Sequence, residues 1–180
     1  FAKCKFKGRD ILFLCYVATM AIPWQVYMLP QYSMMNEMHL VDTHTGYVLM
    51  QAFSAFGVFL MRQFFISLPN ELLEAARIDG LSEYGIFAKI ALPLSKASIS
   101  TLVIFTFVTI WNDYMGPMIY FNTETKKTLQ LGVRMFIGQY STEYGLVFAA
   151  SVLSLIPVLI IFLLGQKQFV QGIASSGIKG

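Results

Sequence analysis

Residues 144–165 read YGLVFAASVLSLIPVLIIFLLG, and they decide the class of fold because they include no Asp, Glu, Lys, Arg or His. The hydrocarbon core of a bilayer is about 30 Å thick, and about 20 apolar helical residues are needed to cross it. Inside that core every backbone N–H and C=O must be bonded within the protein, which a helix does by itself. The stretch therefore predicts a membrane-spanning helix.

Three further stretches have the same apolar character, namely residues 11–34, 47–66 and 97–121. Pro23 and Pro30 lie in the first of them and predict kinks, which neighbouring helices accommodate in membranes. With 56% hydrophobic and 13% charged residues, the composition excludes a disordered chain and a nucleic-acid-binding protein. We predict an all-α, polytopic membrane helix bundle that forms a single transmembrane domain over residues 1–180.

The basic residues are unevenly divided between the segments that would lie on the two sides of the membrane. Ten of the thirteen Lys and Arg residues fall in residues 1–10, in residues 62–96 or after residue 165. The other side holds Lys126, Lys127 and Arg134. Because cytoplasmic loops carry an excess of Lys and Arg, both ends of the chain and residues 67–96 are predicted to be cytoplasmic.

The first ten residues lack the apolar core and the small-residue cleavage site of a signal peptide, and the first residue is Phe1 rather than Met. We therefore expect the sequence to begin within a longer protein.

The cytoplasmic loop, residues 67–96, reads SLPNELLEAARIDGLSEYGIFAKIALPLSK and is patterned for helices. Pro69 suits the start of a first helix, and Gly80 suits its end because glycine adopts the left-handed conformation readily. Ser82 is placed to cap a second helix, which Pro93 is predicted to stop. The first helix has an i, i+3, i+4, i+7 stripe formed by Leu72, Ala75, Ala76 and Asp79.

Two interpretations of this helix pair are open. Short amphipathic helices commonly lie on membrane surfaces, where they are usually rich in Lys and Arg. This pair is acidic instead, because only Arg77 and Lys89 offset Glu71, Glu74, Asp79 and Glu83. The acidity favours a basic groove on a partner protein over anionic lipid.

Residues 74–80, EAARIDG, followed by Leu92–Pro93, resemble the cytoplasmic EAA loop of permease subunits in binding-protein-dependent ABC importers. Residues 111–113, WND, resemble the WN motif of the fifth membrane helix of that family. The tail, with residues 165–172 and 177–180, is similar to that of carbohydrate-importer permeases of the maltose and glycerol-3-phosphate type. The resemblance covers nearly the whole chain.

The resemblance implies a type I importer permease fold in the cell membrane, with four of an expected six transmembrane helices present here. It implies a subunit that forms half of the translocation path for a sugar or related solute. The partners would be a cytoplasmic ABC ATPase dimer, a second homologous permease subunit and an extracytoplasmic solute-binding protein, with membrane lipid around them. ATP would bind to the ATPase, so that this chain would need no cofactor and would not be an enzyme.

In that family the loop is the coupling helix, which seats in a cleft of the ATP-binding subunit. The resemblance therefore assigns ATPase coupling to Glu74, Ala75, Ala76, Asp79, Gly80, Leu92 and Pro93. Glu74 would pair with a base on the ATPase, the two alanines would permit close approach, and Gly80 would fix the turn.

Asp113 lies within or at the edge of a predicted span, where a charge is unfavourable and usually marks a cavity, a partner or a pathway. With nearby hydrogen-bonding and aromatic residues it would suit a sugar-like solute. These candidates for the solute path are Gln25, Gln51, Trp111, Asn112, Asp113 and Tyr114. Alternatively, Asp113 lies near the outer headgroups and Asn112 ties helices together. Ser151 and Ser154 are expected to serve helix packing.

Other motifs give weaker signals. His39, Asp42 and His44 share an outer loop but lack the spacing of a typical metal site, and we predict none. The sequence GIASSGIKG at residues 172–180 departs from a phosphate-binding loop because Ile178 precedes the lysine. No nucleophile and base are suitably paired, which argues against catalysis. An ATP-independent secondary transporter or channel subunit is the alternative function, although it would require more ionisable groups inside the spans.

Overall fold

The computed structural model describes residues 1–138 and 143–177, without the side chains of residue 135 and of residues 167–177. Residues 178–180 of the tail motif lie outside the described residues. The described part confirms the all-α prediction. Its α-helices are α1 (Arg9–Ala18), α2 (Trp24–Glu37), α3 (His44–Gln51), α4 (Ala55–Ser67), α5 (Asn70–Ile78), α6 (Glu83–Ile86), α7 (Leu92–Leu94), α8 (Lys96–Trp111), α9 (Met115–Tyr120), α10 (Leu129–Met135) and α11 (Tyr144–Gly177).

The first predicted span, residues 11–34, is two helices rather than one kinked helix. After α1 a 3₁₀ turn runs over Thr19–Ala21, and Pro23 then caps α2 in an extended conformation. The prediction of a kink at Pro23 is wrong, because a proline disfavours helical backbone in the residue before it and so separates the helices. Pro30 does lie inside a helix, α2.

Breaks also interrupt the next two predicted spans. Residues 52–54 separate α3 from α4, and residues 112–114 separate α8 from α9. Helix α11, in contrast, continues through Pro157. By length and composition, residues 144–166 could cross a membrane as a single helix, and three interrupted pairs pass the same test together. The pairs cover residues 9–37, 44–67 and 83–111, so that the count of four spans stays a prediction.

The chain divides into two compact units. The first contains residues 1–21, residues 55–104 and the described residues from Gly165 onward. Its buried cluster lies in the loop of residues 67–96 and consists of Leu73, Ala76 and Ile86. The second unit contains residues 22–54 and 105–164, and its core consists of Met35, Tyr47, Tyr120 and Phe121.

Helix α11 leaves most of its apolar surface uncovered by the chain itself. Only 6% of its most apolar window, within residues 144–166, is buried. A helix that is apolar on all sides is stable only in apolar surroundings. Lipid or another apolar protein surface must therefore cover it.

Candidate functional site

The loop carries the first candidate site, and Gly80 forms its turn. The backbone of Gly80 has a φ of +83°, in the left-handed region. The N–H of Leu81 donates to Ala76 O and that of Gly80 to Arg77 O, both over 3.0 Å. These two bonds form a Schellman motif, which satisfies carbonyl groups at the end of α5. The prediction that Gly80 ends the first loop helix is confirmed.

The second loop helix is fastened to the first at its start. Ser82 Oγ accepts a hydrogen bond from the N–H of Gly85 over 3.2 Å, which confirms the predicted cap of α6. Arg77 Nε and Nη2 donate to the two carboxylate oxygens of Glu83 over 2.6 and 3.2 Å. The hydrogen bonds from Arg77 hold the pKa of Glu83 below its usual range. The turn is therefore held by local contacts on both sides.

The buried face of the loop helices differs from the predicted stripe. Leu73 and Ala76 are buried against Ile86, whereas Leu72 and Ala75 are exposed. The position at which α6 packs determines the buried face of α5. The periodicity of α5 alone does not reveal that position. Ala76, one of the residues assigned to coupling, is buried between the two loop helices. The other residues assigned to coupling are exposed, namely Glu74, Ala75, Asp79, Gly80, Leu92 and Pro93.

Two large apolar side chains point outward from the loop helices, and the sequence reasoning missed them. Ile78 is 86% exposed and Tyr84 is 89% exposed. Exposed apolar groups on a small surface element commonly mark a contact with another protein. No clear signal in the sequence marks them, because the buried face of α5 depends on where α6 packs.

Pro93 does not stop the second loop helix, and that prediction is wrong. A π-helical turn over Phe87–Ala91 follows α6, and α7 then includes Pro93. The π-helical turn shifts the hydrogen bonds directly before the proline, since the N–H of Leu92 donates to Phe87 O, and the helical segment ends at Leu94, one residue beyond Pro93. The chain leaves α7 at Ser95, which is fully buried and whose Oγ donates to Leu92 O over 2.8 Å.

Asp113 lies at the centre of a second candidate site, in the break between α8 and α9. Its Oδ1 accepts from the N–H of Gly116 in the first turn of α9 over 3.1 Å, and its Oδ2 accepts from the hydroxyl of Tyr47. Gln51 Nε2 donates to the same Tyr47 hydroxyl over 3.3 Å. A Cβ atom at Gly116 would lie 2.5 Å from Asp113 Oδ2. The glycine therefore leaves room for the pair.

The Asp113 pocket is a cavity of about 360 Å³ in the second unit. Trp24 Nε1 donates to Gln31 Oε1 over 2.9 Å at its wall. Amide, carboxylate and aromatic groups together can hydrogen-bond and stack against a polar solute. The pocket is lined by, among others, Trp24, Gln31, Tyr47, Gln51, Asp113 and Tyr120.

The structure brings together only part of the predicted solute path. Of the six candidates, Gln51 and Asp113 line the Asp113 pocket, whereas Gln25 and Tyr114 lie outside its lining. Gln25 is exposed on α2. Gln31 of α2 also lines the pocket, and it was not among the predicted candidates.

Trp111 and Asn112 belong to a different place in the second unit. Trp111 Nε1 donates to the backbone oxygen of Ser154 over 2.9 Å, and Asn112 lines a cavity of about 250 Å³ with Gln130, Ser151 and Ser154. Ser154 Oγ is buried and has no hydrogen-bond partner among the described residues. The two serines thus line this cavity, and Ser154 also contacts α8 through Trp111.

Asp42, in the segment between α2 and α3, is hydrogen-bonded within its own chain. Its carboxylate accepts from the N–H groups of Asn122 and Thr123, from the Thr123 hydroxyl and from Lys126. These bonds, led by those from Thr123, hold the pKa of Asp42 well below its usual range. The ring of His44 packs on Phe121 with 5.1 Å between ring centroids. No cluster of metal-ligand residues occurs in the described part of the chain.

Comparison with known proteins places these features in a family. The sequence profile of the family "Binding-protein-dependent transport system inner membrane component" matches residues 2–175. The arabinooligosaccharides transport system permease protein AraQ of Bacillus subtilis is 37% identical over 97% of this chain and 62% of its own length. The sn-glycerol-3-phosphate transport system permease protein UgpE of Yersinia pestis is 37% identical over 96% of this chain and 62% of its own length.

A solved structure gives the same result for the fold. It is a bacterial ABC transporter involved in the import of the acidic polysaccharide alginate, and one of its chains superposes with a TM-score of 0.81 at 28% identity. The match covers 93% of this chain and 64% of that one. This chain thus spans a little under two thirds of the length of the relatives it matches.

Proposed function

This chain belongs to the binding-protein-dependent transport system inner membrane components, and we propose that it forms part of the permease subunit of an ATP-driven importer for a sugar or related solute. The family description supports a multi-pass location in the inner, or plasma, membrane. The names of the relatives AraQ and UgpE support a polyhydroxylated solute. Hydrolysis of ATP would take place on a partner chain.

The observation that carries this proposal is the outward face of the loop helices. The pair closes its own core and presents Ile78 and Tyr84 to the outside, next to the exposed acids Glu74 and Asp79. Apolar anchors with an acidic rim fit a cleft with an apolar floor and basic edges. We propose that this cleft belongs to a cytoplasmic ATPase, with Glu74 paired to a base and Ala75 permitting close approach.

The loop would work as a lever. The Schellman motif at Gly80, the Ser82 cap and the Arg77–Glu83 pair make the two helices one body. When the ATPases close, the docked body moves, and α4 and α8 at its two ends move with it. ATP shifts the path between inward-facing and outward-facing states because the ATPase contacts the loop differently in the two states.

We propose that both polar cavities of the second unit contribute to the solute path. In the Asp113 pocket, Trp24 and Tyr47 offer aromatic faces, and Gln51 offers an amide. In the smaller cavity, Asn112, Gln130 and Ser151 are among the lining residues. Uncharged hydroxyl and amide groups match the alternating donors and acceptors of a sugar.

A second, homologous permease subunit would complete the path, and it would cover part of the uncovered surface of α11 together with lipid. An extracytoplasmic solute-binding protein would deliver the solute. The family description supports this partner, since transport in the family depends on binding proteins.

The docking role is tested by changes on the outward face of the loop in the full-length protein. Ile78→Asp places a charge in the proposed cleft, and Glu74→Lys reverses the proposed pairing. We expect both variants to reach the membrane, to lose co-purification of the ATPase and to lose transport. The matched control is Glu124→Lys, which reverses the charge of an exposed acid far along the chain from the loop helices. It should reach the membrane, retain the ATPase on purification and transport the solute. Normal co-purification of the ATPase with Ile78→Asp would refute docking through this face.

A further inference from the structure

The joint between α4 and α5 is where a movement of the loop helices would reach α4. Helix α4 ends at Ser67 and α5 begins at Asn70, so that Leu68 and Pro69 alone connect them. Pro69 has no N–H and is extended, with φ −59° and ψ 132°. The helical hydrogen bonds are therefore interrupted here, and such a link bends unless another group holds both of its sides.

Lys3 holds both sides of this joint. Its Nζ donates to the backbone oxygen of Leu68 over 2.6 Å and to Asn70 Oδ1 over 2.8 Å. The carbonyls at the C-terminal end of a helix lack intrahelical partners and attract a cation. A charged donor makes stronger hydrogen bonds than a neutral one. One ammonium group thus links the end of α4 to the first residue of α5.

The segment that carries Lys3 is itself fixed to α4. Arg62 of α4 donates from Nε to Phe1 O over 3.0 Å and from Nη2 to Asp10 Oδ1 over 2.9 Å, so that it is bonded on both sides of Lys3. The guanidinium also lies over the ring of Phe13, with Cζ 4.0 Å from the centroid, and its side chain is only 15% exposed. Lys3 is therefore presented by a braced segment.

We propose that Lys3 is a positioning residue for energy coupling. By holding Leu68 and Asn70 together, it makes a displacement of the loop helices move α4 instead of bending the chain at Pro69. The proposal rests on the proposed function, since it requires an ATPase to move the loop. The role of Lys3 would be exerted through the joint, by its bonds to Leu68 and Asn70.

The test compares Lys3→Met with Lys5→Met in the full-length protein, co-expressed with its partner subunits and reconstituted in proteoliposomes. Methionine keeps much of the side-chain length without the charge, and Lys5 is an exposed lysine of the same segment. The first readout is the ATP-dependent change in maleimide labelling of Ile66→Cys, near the end of α4, in a cysteine-free background. The second is solute imported per ATP hydrolysed, with arabinotriose and sn-glycerol 3-phosphate as probes.

We expect Lys3→Met to retain the ATPase and to hydrolyse ATP, while the labelling change at residue 66 and the import per ATP fall several-fold. Lys5→Met should behave as the wild type. Asn70→Ala removes one of the two acceptors and should cause a smaller loss. Combined with Lys3→Met, it should cause no further loss, because both changes break the same link.

The proposal is overturned if the labelling change in Lys3→Met equals that in Lys5→Met, if the ATPase is lost from the complex, or if the effects of Lys3→Met and Asn70→Ala add. Absence of any ATPase from the wild-type preparation would instead refute the proposed function.

Discussion

The loop helices and the Asp113 pocket each depend on a carboxylate, but contacts of very different range hold them together. In the loop, Arg77 binds Glu83, six positions along the chain. In the pocket, Tyr47 donates to Asp113, 66 positions away. The loop is therefore specified by its own short sequence, whereas the pocket exists only when distant parts of the second unit are folded together.

The two regions also differ in the direction in which they present chemistry. The loop turns apolar groups outward, as Ile78 and Tyr84 show, and keeps a small apolar core inside. The pocket turns polar groups inward, around Asp113. Damage to the loop should therefore affect a contact with another protein, and damage to the pocket should affect the stability of this one.

The largest effect is expected from Gly116→Ala in the pocket. The added Cβ would lie 2.5 Å from Asp113 Oδ2 and 2.9 Å from the Tyr47 hydroxyl, which are bonded to each other. Because both distances are too short for atoms that are not bonded, one group must move, and overpacking of this kind lowers the free energy of unfolding by about 1–3 kcal/mol. The melting temperature of the purified protein in detergent should fall, and transport with it.

Gly132→Ala is the control, because a Cβ at Gly132 meets no atom within 4 Å. It lies in α10, where alanine is more favourable than glycine by roughly 0.5–1 kcal/mol. The control should melt at or above the wild-type temperature. If Gly116→Ala melts at the same temperature as Gly132→Ala, then the Asp113 pocket is less tightly packed than its contacts indicate.

The range of the contacts also explains what could be predicted from the sequence. The end of α5 at Gly80 and the cap of α6 at Ser82 follow from residues a few positions apart, and both predictions are confirmed. Asp113 was singled out as a charge near a span, but its partner Tyr47 was not. A sequence pattern carries no sign of a contact over 66 positions, because the fold of the whole unit determines it.

The effect of a proline is only partly predictable from nearby residues. A proline removes one N–H and restricts the residue before it, but whether the chain breaks, kinks or continues depends on its surroundings. Pro23 separates two helices, and Pro30 lies within one. Pro93 was expected to stop a helix, but the π-helical turn before it lets the chain stay helical.

The second largest effect is expected from Gly80→Ala, and it should be confined to the loop. Space is open around Gly80, so that no clash arises, but its φ of +83° disfavours alanine by about 1–2 kcal/mol. The turn should open, so that the complex loses ATPase on purification while the melting temperature of the protein stays near that of the wild type.

Limited proteolysis gives an independent measurement of this second change. Cleavage within residues 78–82 should be faster in Gly80→Ala than in Gly132→Ala, which shares the open space but lies within a helix. A fall in melting temperature as large as that of Gly116→Ala would show that the loop is not the local module that its contacts describe.

A third prediction extends the comparison to Asp42, whose contacts are long in range. Asp42→Asn keeps the shape and tolerates the φ of +59°, but it removes the charge that accepts from Thr123 and Lys126, 81 and 84 positions away. We expect a lower melting temperature at neutral pH. Because these bonds lower the pKa of Asp42 in the folded protein, their stabilisation is present above the unfolded pKa, about 4, and is lost as the pH falls below it.

The measurement is a pair of melting curves against pH for the wild type and Asp42→Asn. The difference between the two melting temperatures should be largest above about pH 5. It should shrink towards acid pH, because protonation of the Asp42 carboxylate removes the charge that the wild type alone carries. Glu124→Gln, which lies between Thr123 and Lys126 but is not bonded to Asp42 in the described contacts, should show no such difference. A gap that widened in acid would show that the Asp42 carboxylate does not stabilise the loop in its charged form.

The smallest effect is expected from Glu83→Gln, although its bonds with Arg77 are short. Both side chains are exposed, so that water and salt compete with the pair, and the Schellman motif at Gly80 still holds the turn. The melting temperature should not change measurably. A faster exchange of the Leu81 amide, which donates to Ala76 O, should be the only sign, and it should disappear at high salt.

The pH dependence separates this pair from a purely steric effect. Arg77 lowers the pKa of Glu83, so that the contribution of the charge is present at neutral pH and is lost as the pH falls through that lowered pKa. The exchange rates of the wild type and Glu83→Gln should therefore converge in acid. If Glu83→Gln lowered the melting temperature as much as Asp42→Asn does, then the range of a contact would not determine how far its loss spreads, and the distinction between the loop and the pocket would fail.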